Sequence, residues 1–370
     1  MKDWAVALGV AWAWAIATGC KDHDDSAILR EQLRKAAAQR APVEDKPTRV
    51  EINPRLLRRF EPLRTLLETP GNPLTKPKTA LGKLLFFDKR LSKNQDISCN
   101  TCHKLDDFGA DHQKTSAGHR ARRGTRNSPT VYNAAGFFAQ FWDGRAATVE
   151  QQVTGPLLNP VEMALPNGAF AVRVLKSIPG YGTAFAEAFP GQPEPVTLDH
   201  VGEAIGAFER GLTTPARWDD YLRGNAGALS ARELEGLKVF TNVGCMVCHT
   251  GEFLGGSMYQ KVGVVQPWPN QTDQGRFEVS KQDVDRMMFK VPSLRNVSQT
   301  APYFHDGSAP TLEAAVKAMG RHQLGLELSE DEVSAIVAWL GSLTGRLPGA
   351  YISPPALPPS SDATPKPDPT

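Results

Sequence analysis

Cys99-Asn100-Thr101-Cys102-His103 and Cys245-Met246-Val247-Cys248-His249 are two copies of one pentapeptide, and they decide how the rest of the chain is read. The pattern C-x-x-C-H is the attachment signature of c-type haem. Its two thiols form thioethers with the haem vinyl groups, and the histidine that follows binds the iron from the proximal side. Only this short spacing lets one turn of backbone hold both the porphyrin edge and the metal. Two copies predict two covalently bound c-type haems, anchored by Cys99, Cys102, His103, Cys245, Cys248 and His249. Redox chemistry is the reading that follows. Zinc fits worse, because paired C-x-x-C ligands usually lie about 15–20 residues apart. Here Cys102 and Cys245 are 143 positions apart. A dithiol redox motif needs a βαβ setting, and no such pattern flanks either pentapeptide.

The 370 residues suffice for two domains of ordinary size. A formal net charge of +2 names no partner, and haem propionates can reverse its sign. Of the 5 cysteines, Cys20 alone lies outside the haem motifs, so no pair remains for a structural disulfide. Around Cys20 the chain reads as an export signal. Lys2 precedes an uncharged stretch from Trp4 to Gly19, and the charged run Lys21-Asp22-His23-Asp24-Asp25 follows Cys20. The stretch is short for a membrane span, which needs about 20 apolar residues, and suits a signal peptide over 1–20. Ala17-Thr18-Gly19-Cys20 resembles a bacterial lipobox, which would make Cys20 a lipid anchor. An uncleaved anchor and ordinary cleavage are the alternatives. All three place the mature protein outside the cytoplasm, in the periplasm, where c-type haem is attached in bacteria.

Residues 21–50 read as a charged tether. Residues 347–370 are rich in Pro and Ser and read as an extended or disordered tail. Between them lie two haem-bearing segments, 51–214 and 215–346, joined near Gly211-Leu212-Thr213-Thr214-Pro215. Helix signals dominate. Ser329 and Glu332 form a capping box before Val333, Ile336, Val337 and Leu340. Ser230 and Glu233 form a second, opening a helix through Leu234 and Leu237 toward the second haem motif. Val201, Ile205, Phe208 and Leu212 make a further stripe, and Leu81, Leu84 and Leu85 mark a helix before the first motif.

Longer runs then add to the pentapeptides: Arg126-Asn127-Ser128-Pro129-Thr130, Phe141-Trp142-Asp143-Gly144-Arg145-Ala146, Asn159-Pro160-Val161-Glu162-Met163 and Ala301-Pro302-Tyr303-Phe304-His305-Asp306-Gly307. With them the chain, over roughly residues 70–345, resembles the bacterial dihaem cytochrome c peroxidase family. The resemblance implies an all-α fold of two cytochrome c-like domains, each around one covalently bound c-type haem. It implies that hydrogen peroxide is reduced to water at the N-terminal haem. Electrons from a small cytochrome c or a cupredoxin would enter at the C-terminal haem. It also implies a homodimer.

Peroxide cleavage needs groups that move a proton between two oxygens and support the leaving hydroxide. The resemblance gives these tasks to Glu162, as proton relay, and Gln152, which orients peroxide. It sets Trp142 between the two haems. It makes His119, 16 positions beyond His103, a removable sixth ligand of the first iron. His112 competes for that place. Met319, 70 positions after His249, becomes the distal ligand of the second iron, with Met258, Met287 and Met288 as rivals. A thioether there raises the potential and keeps the iron closed. A calcium site is implied at Asn127 with the backbone oxygens of Thr300 and Pro302, neutral ligands that calcium accepts. Arg126, Arg145 and Arg295 are candidate propionate partners by charge. Two other readings stand beside the peroxidase. One is a relative that oxidises tryptophans of another protein during quinone-cofactor maturation, which has tyrosine where Met319 stands. The other is a plain dihaem electron carrier, which needs no distal acid–base pair.

Overall fold

The computed structural model describes residues 52–370. The signal, Cys20 and the tether, at 1–50, lie outside the described residues. The fold is mostly helical, as expected, and is organised around two hydrophobic cores. The first is built by α1 (Lys76–Phe87), α2 (Gly168–Lys176), α3 (Pro179–Ala188) and α4 (Leu198–Glu209). The second is built by α5 (Ala231–Val243), α6 (Leu312–Met319) and α7 (Glu330–Gly341). Helix signals alone do not anticipate the small sheet found among the described residues. In it β1 (Tyr259–Lys261) pairs antiparallel with β2 (Met288–Lys290), Tyr259 opposite Lys290.

Each core turns on one crossing. α1 lies across α4, and a Cβ on Gly82 would overlap the Ala204 carbonyl. α5 lies across α7, and a Cβ on Gly236 would overlap the Ala335 carbonyl. Four residues after each alanine stands a fully buried aromatic, Phe208 or Trp339. Glycine is required at both places because only a missing side chain lets the backbones approach so closely. Large side chains then fill the space around each crossing. Phe86 meets Phe208 edge-on at 5.5 Å, and Trp218 meets Trp339 at 5.7 Å. Each fully buried apolar side chain of this kind contributes roughly 1.5–3 kcal/mol.

Local signals start these helices. Glu233 N–H donates to Ser230 Oγ, and Ser230 N–H donates back to Glu233 Oε2 at 2.7 Å. Ser329 and Glu332 repeat the same reciprocal box. Thr75 and Thr197 cap α1 and α4 with their hydroxyls. α5 ends at Gly244, φ 102°, and the left-handed turn delivers the chain directly into Cys245.

The chain crosses between the cores at both ends. Phe60 packs in the second core, while Tyr351 and Ile352 return to the first. At the join, the fully buried Thr214 hydroxyl accepts from Asn133 Nδ2 at 2.9 Å and from Asn296 Nδ2 at 2.8 Å. One side chain therefore ties a loop of each region. The Pro-rich tail runs extended along the first region and is held by hydrogen bonds with it. Arg90 donates to Pro358 O, Gln95 to Pro365 O, Ser361 to Ser177 O, and Lys93 to Thr370 O. No helix of the described residues is long and apolar enough to cross a membrane.

Candidate functional site

The first C-x-x-C-H opens a short helix, Cys99–Cys102, entered from Ser98 and closed by Thr101, whose hydroxyl accepts from Ser98 N–H. Cys99, Cys102 and His103 line a cavity of about 1380 Å³, its open mouth included. Gln152, from the end of the helix Val149–Gln152, and Glu162 line the same cavity, as does Trp142. Residues separated by more than forty positions in sequence thus face one space, with His103, Gln152 and Glu162 together.

The electrostatics suit the roles. Burial pushes the Glu162 carboxyl above its ordinary range, against a hydrogen bond from Asn159 Nδ2 at 2.7 Å and the charge of Arg145. A carboxyl so raised is better placed to give and take a proton near neutral pH. Burial lowers His103 and His249, which favours the neutral ring, the form in which imidazole binds a metal. His249 Nδ1 is hydrogen-bonded to Leu254 O at 2.9 Å, which leaves Nε2 without a proton and available as a ligand. His103 Nδ1 is buried without a partner. Burial also raises the Cys99 and Cys245 thiols to about 12, as expected of inert sulfurs enclosed against an apolar group. These residues fit covalent haem. The two motifs lie in separate cores, and the described residues hold no cluster of three His, Cys, Asp or Glu that would bind a bare metal ion.

Trp142 stands between two environments. It lines the first cavity, and it packs on a small cluster of Trp268, Met287 and Phe289 to which Met319 also belongs. Its indole N–H donates to Asn127 O at 2.9 Å, and its own carbonyl accepts from Lys290 N–H at 2.8 Å. Met319 ends α6 before a wider turn, Gly320–Leu324. Among its rivals, Met258 is exposed, and Met287 shares the Met319 cluster.

His119 is buried but is not among the side chains lining the cavity. Its backbone N–H donates to Glu162 O at 2.7 Å, its Nε2 lies 3.1 Å from Thr370 O, and its Nδ1 has no partner. His112 has both ring nitrogens engaged, Nδ1 with Ala301 O and Nε2 with Asp107, each at 3.0 Å. Asn127 N–H donates to His305 O, which brings the Asn127 loop beside the segment carrying Thr300 and Pro302. Of the arginines, Arg126 is bound by Asp143, Asp273 and Glu278, and Arg145 chelates Asp143. Arg295 is enclosed with Asp219 in the second region, away from the first cavity.

Two cavity-lining residues escape a reading of the sequence, Glu209 and Lys290. Glu209 is fully buried and its carboxyl is pushed up to about 8, by burial and then by Glu150, against Arg210. Its signal was present: Glu209 lies four positions after Ile205, on the apolar face of α4. Lys290 has none, since strand alternation between Phe289 and Val291 reads as a solvated position.

The model of the family described as di-haem cytochrome c peroxidase matches residues 76–227. The cytochrome c551 peroxidase of Nitrosomonas europaea is 48% identical over 288 residues, 77% of this chain and 85% of that protein. The cytochrome c551 peroxidase of Pseudomonas aeruginosa is 45% identical over 316 residues, 83% of this chain and 90% of that protein. Among solved structures, a MauG-like protein associated with microbial copper homeostasis superposes with a TM-score of 0.69 at 28% identity, covering 85% of this chain and 99% of that one.

Proposed function

The chain belongs to the di-haem cytochrome c peroxidase family, and from that premise we propose that it reduces hydrogen peroxide to water with electrons from a small redox protein. One peroxide, two electrons and two protons give two waters. When bound, the haems supply the electron transfer, the C-terminal one taking electrons in and the N-terminal one delivering them to peroxide. The observation that carries this reading is the shared cavity of Cys99, Cys102 and His103 with Gln152 and Glu162.

The protein's own groups do the rest. Glu162 takes a proton from the near oxygen of peroxide and returns it to the far one, and the Gln152 amide orients the pair. Trp142, with one side on the cavity and the other on the Met319 cluster, is the path between the N-terminal peroxidatic domain, 51–214, and the C-terminal electron-entry domain, 215–346. Met319 would hold the second iron through its thioether. His119 would be the removable ligand of the first, and its buried, unpartnered Nδ1 supports a role that its present hydrogen bonds do not fill. Through the hydrogen bond its backbone N–H donates to the Glu162 carbonyl, displacing His119 would also move the Glu162 backbone. Asn127, Thr300 and Pro302 form a calcium site beside Trp142. The donor is a small cytochrome c or cupredoxin in the periplasm, with Cys20 as a lipid anchor, and the working form is a homodimer.

Steady-state peroxide reduction with a reduced small cytochrome tests the function. The protein, two haem groups heavier than its processed polypeptide, should oxidise the donor in proportion to peroxide added. A dihaem protein that carries electrons but consumes no peroxide would instead be a plain carrier.

A further inference from the structure

The first cavity receives one side chain from far along the chain. Lys290 lies on β2 in the C-terminal half, yet lines the same space as Cys99, Cys102 and His103. The strand is held there by its N–H, which donates to Trp142 O at 2.8 Å. Lys290 is 7% exposed. Its ammonium makes no hydrogen bond or ion pair with the described residues, and it lies over the Phe137 ring at 4.7 Å. A largely buried ammonium with no hydrogen-bonded anion is costly by several kcal/mol.

Its neighbours are differently placed. Arg126 has three carboxylates, and Arg145 has Asp143 on one side and the Phe141 ring at 3.5 Å on the other. Lys290 is thus the uncommitted cation among the side chains lining the cavity. The group expected in that cavity carries two carboxylates, the propionates, on the porphyrin edge opposite its vinyl groups. The thiols that fix the vinyl edge are Cys99 and Cys102, whereas Lys290 adjoins Trp142 and Asp143.

We propose that Lys290 binds a propionate of the first haem, so that a strand of the C-terminal half forms part of the N-terminal haem pocket. The inference rests on the reading of this cavity as a haem site. Burial brings the Lys290 ammonium down to about 7 even with Asp143 opposing, so its charge is weakened before any propionate is bound. A propionate restores that charge, and the pair satisfies both partners. The same strand hydrogen-bonds Trp142, so the residue tuning the first haem is fixed to the residue between the two haems. Lys290 is in this sense a positioning residue with an electrostatic effect on the iron.

A cation near the porphyrin favours the ferrous state. Removing one charge at an effective dielectric near 20 should move the ferrous-to-ferric ratio by about tenfold, which is about 59 mV for a one-electron couple. The test is a redox titration of the holoprotein in which each haem is followed by its own spectrum. Lys290→Gln should lower the N-terminal haem potential by about that amount and leave the C-terminal potential nearly unchanged. Lys290→Arg should stay close to the unaltered protein. If both haems are bound and the Gln variant keeps its N-terminal potential, or if the Arg variant falls as far as the Gln variant, the proposal is wrong. Should the Gln variant fail to load haem, the Arg variant decides, since a shifted N-terminal potential there overturns it. A protein lacking an N-terminal haem altogether would instead sink the reading of the cavity.

Discussion

The two haem-bearing regions share a scaffold and differ in what faces the cofactor. In each, a glycine on the helix preceding C-x-x-C-H lies under an alanine carbonyl, and a buried aromatic follows four residues later: Gly82 with Ala204 and Phe208, Gly236 with Ala335 and Trp339. Beyond that crossing they part. The first has a cavity lined by Gln152, Glu162, Glu209 and Lys290. Met319 of the second instead sits with Trp268, Met287, Phe289 and Phe304. Titratable and polar groups are gathered in the first, and apolar groups surround the candidate ligand of the second. One helix crossing therefore supports two tasks, because it fixes the helices and the proximal motif while leaving the opposite loops free to differ.

The largest test of this contrast is chemical. Glu162→Gln keeps the size and the hydrogen bond to Asn159 but removes the titrating proton. Peroxide turnover should fall by about 10²–10⁴-fold, the usual contribution of a general acid–base group. Haem content and the C-terminal haem spectrum should not change. Turnover within a few-fold of the unaltered protein would show that the first cavity does not owe its chemistry to this carboxyl.

Next comes a stability difference. Asp219 accepts from Arg295 Nη1 and Nη2, from Leu63 N–H and from Ala216 N–H, all without solvent access. Burial opposes ionisation, yet Arg295 and the two amides hold the carboxyl below its ordinary range. Asp219→Ala leaves Arg295 buried and unpaired, which should cost about 3–5 kcal/mol. With a depressed folded pKa, the carboxyl's contribution is present above the ordinary aspartate range and lost as pH falls through the folded value. Chemical denaturation of the holoprotein should show the second region unfolding first in the variant. Loss of both regions in one unchanged transition would mean that the two cores are not separable.

A matched pair sharpens the scaffold claim. Gly82→Ala and Gly236→Ala each add one methyl against a backbone carbonyl, an overpacking that typically costs about 1–3 kcal/mol. Equal losses, each with the spectrum of its own haem perturbed, are the expected outcome of denaturation followed at both haems. A large loss in one and none in the other would show that the crossings are not equivalent.

Much of this was legible in the sequence because its causes are local. Ser230 with Glu233 and Ser329 with Glu332 satisfy helix-end amides within four residues, so spacing alone reveals them. The haem anchors are equally local. Glu162 and Gln152 were found only through longer runs of resemblance, since a single carboxylate or amide has no distinguishing pattern. Lys290 was not found, because its environment is made by Phe137 and Trp142, more than a hundred positions away. Composition reads the tail as extended or disordered. It reports what a Pro-rich segment does alone, whereas the tail's placement comes from Arg90, Lys93 and Gln95, which supply donors from 268 to 277 positions away.

The smallest effect concerns how the two regions touch. His112, in the first, holds Asp107 with Nε2 and the Ala301 carbonyl with Nδ1. Both partners are acceptors, so both bonds form fully only when the ring is protonated. The hydrogen bond from Asp107 raises the His112 pKa, against burial, and the Ala301 carbonyl adds to it. With a folded value above the unfolded one, the stabilisation is complete below the ordinary histidine pKa of about 6.5 and fades as pH rises through the folded value. The side chains are 39% and 48% exposed, so solvent screening keeps the gain below about 1 kcal/mol. Asparagine is the suitable replacement, because His112 has φ 57° and asparagine tolerates that left-handed backbone. Amide exchange across residues 301–305 should be faster in His112→Asn than in the unaltered protein at about pH 5.5, and the difference should shrink by about pH 8.5. A difference of the same size at both values would mean that packing, not the charge on the ring, joins the first region to the Ala301 loop.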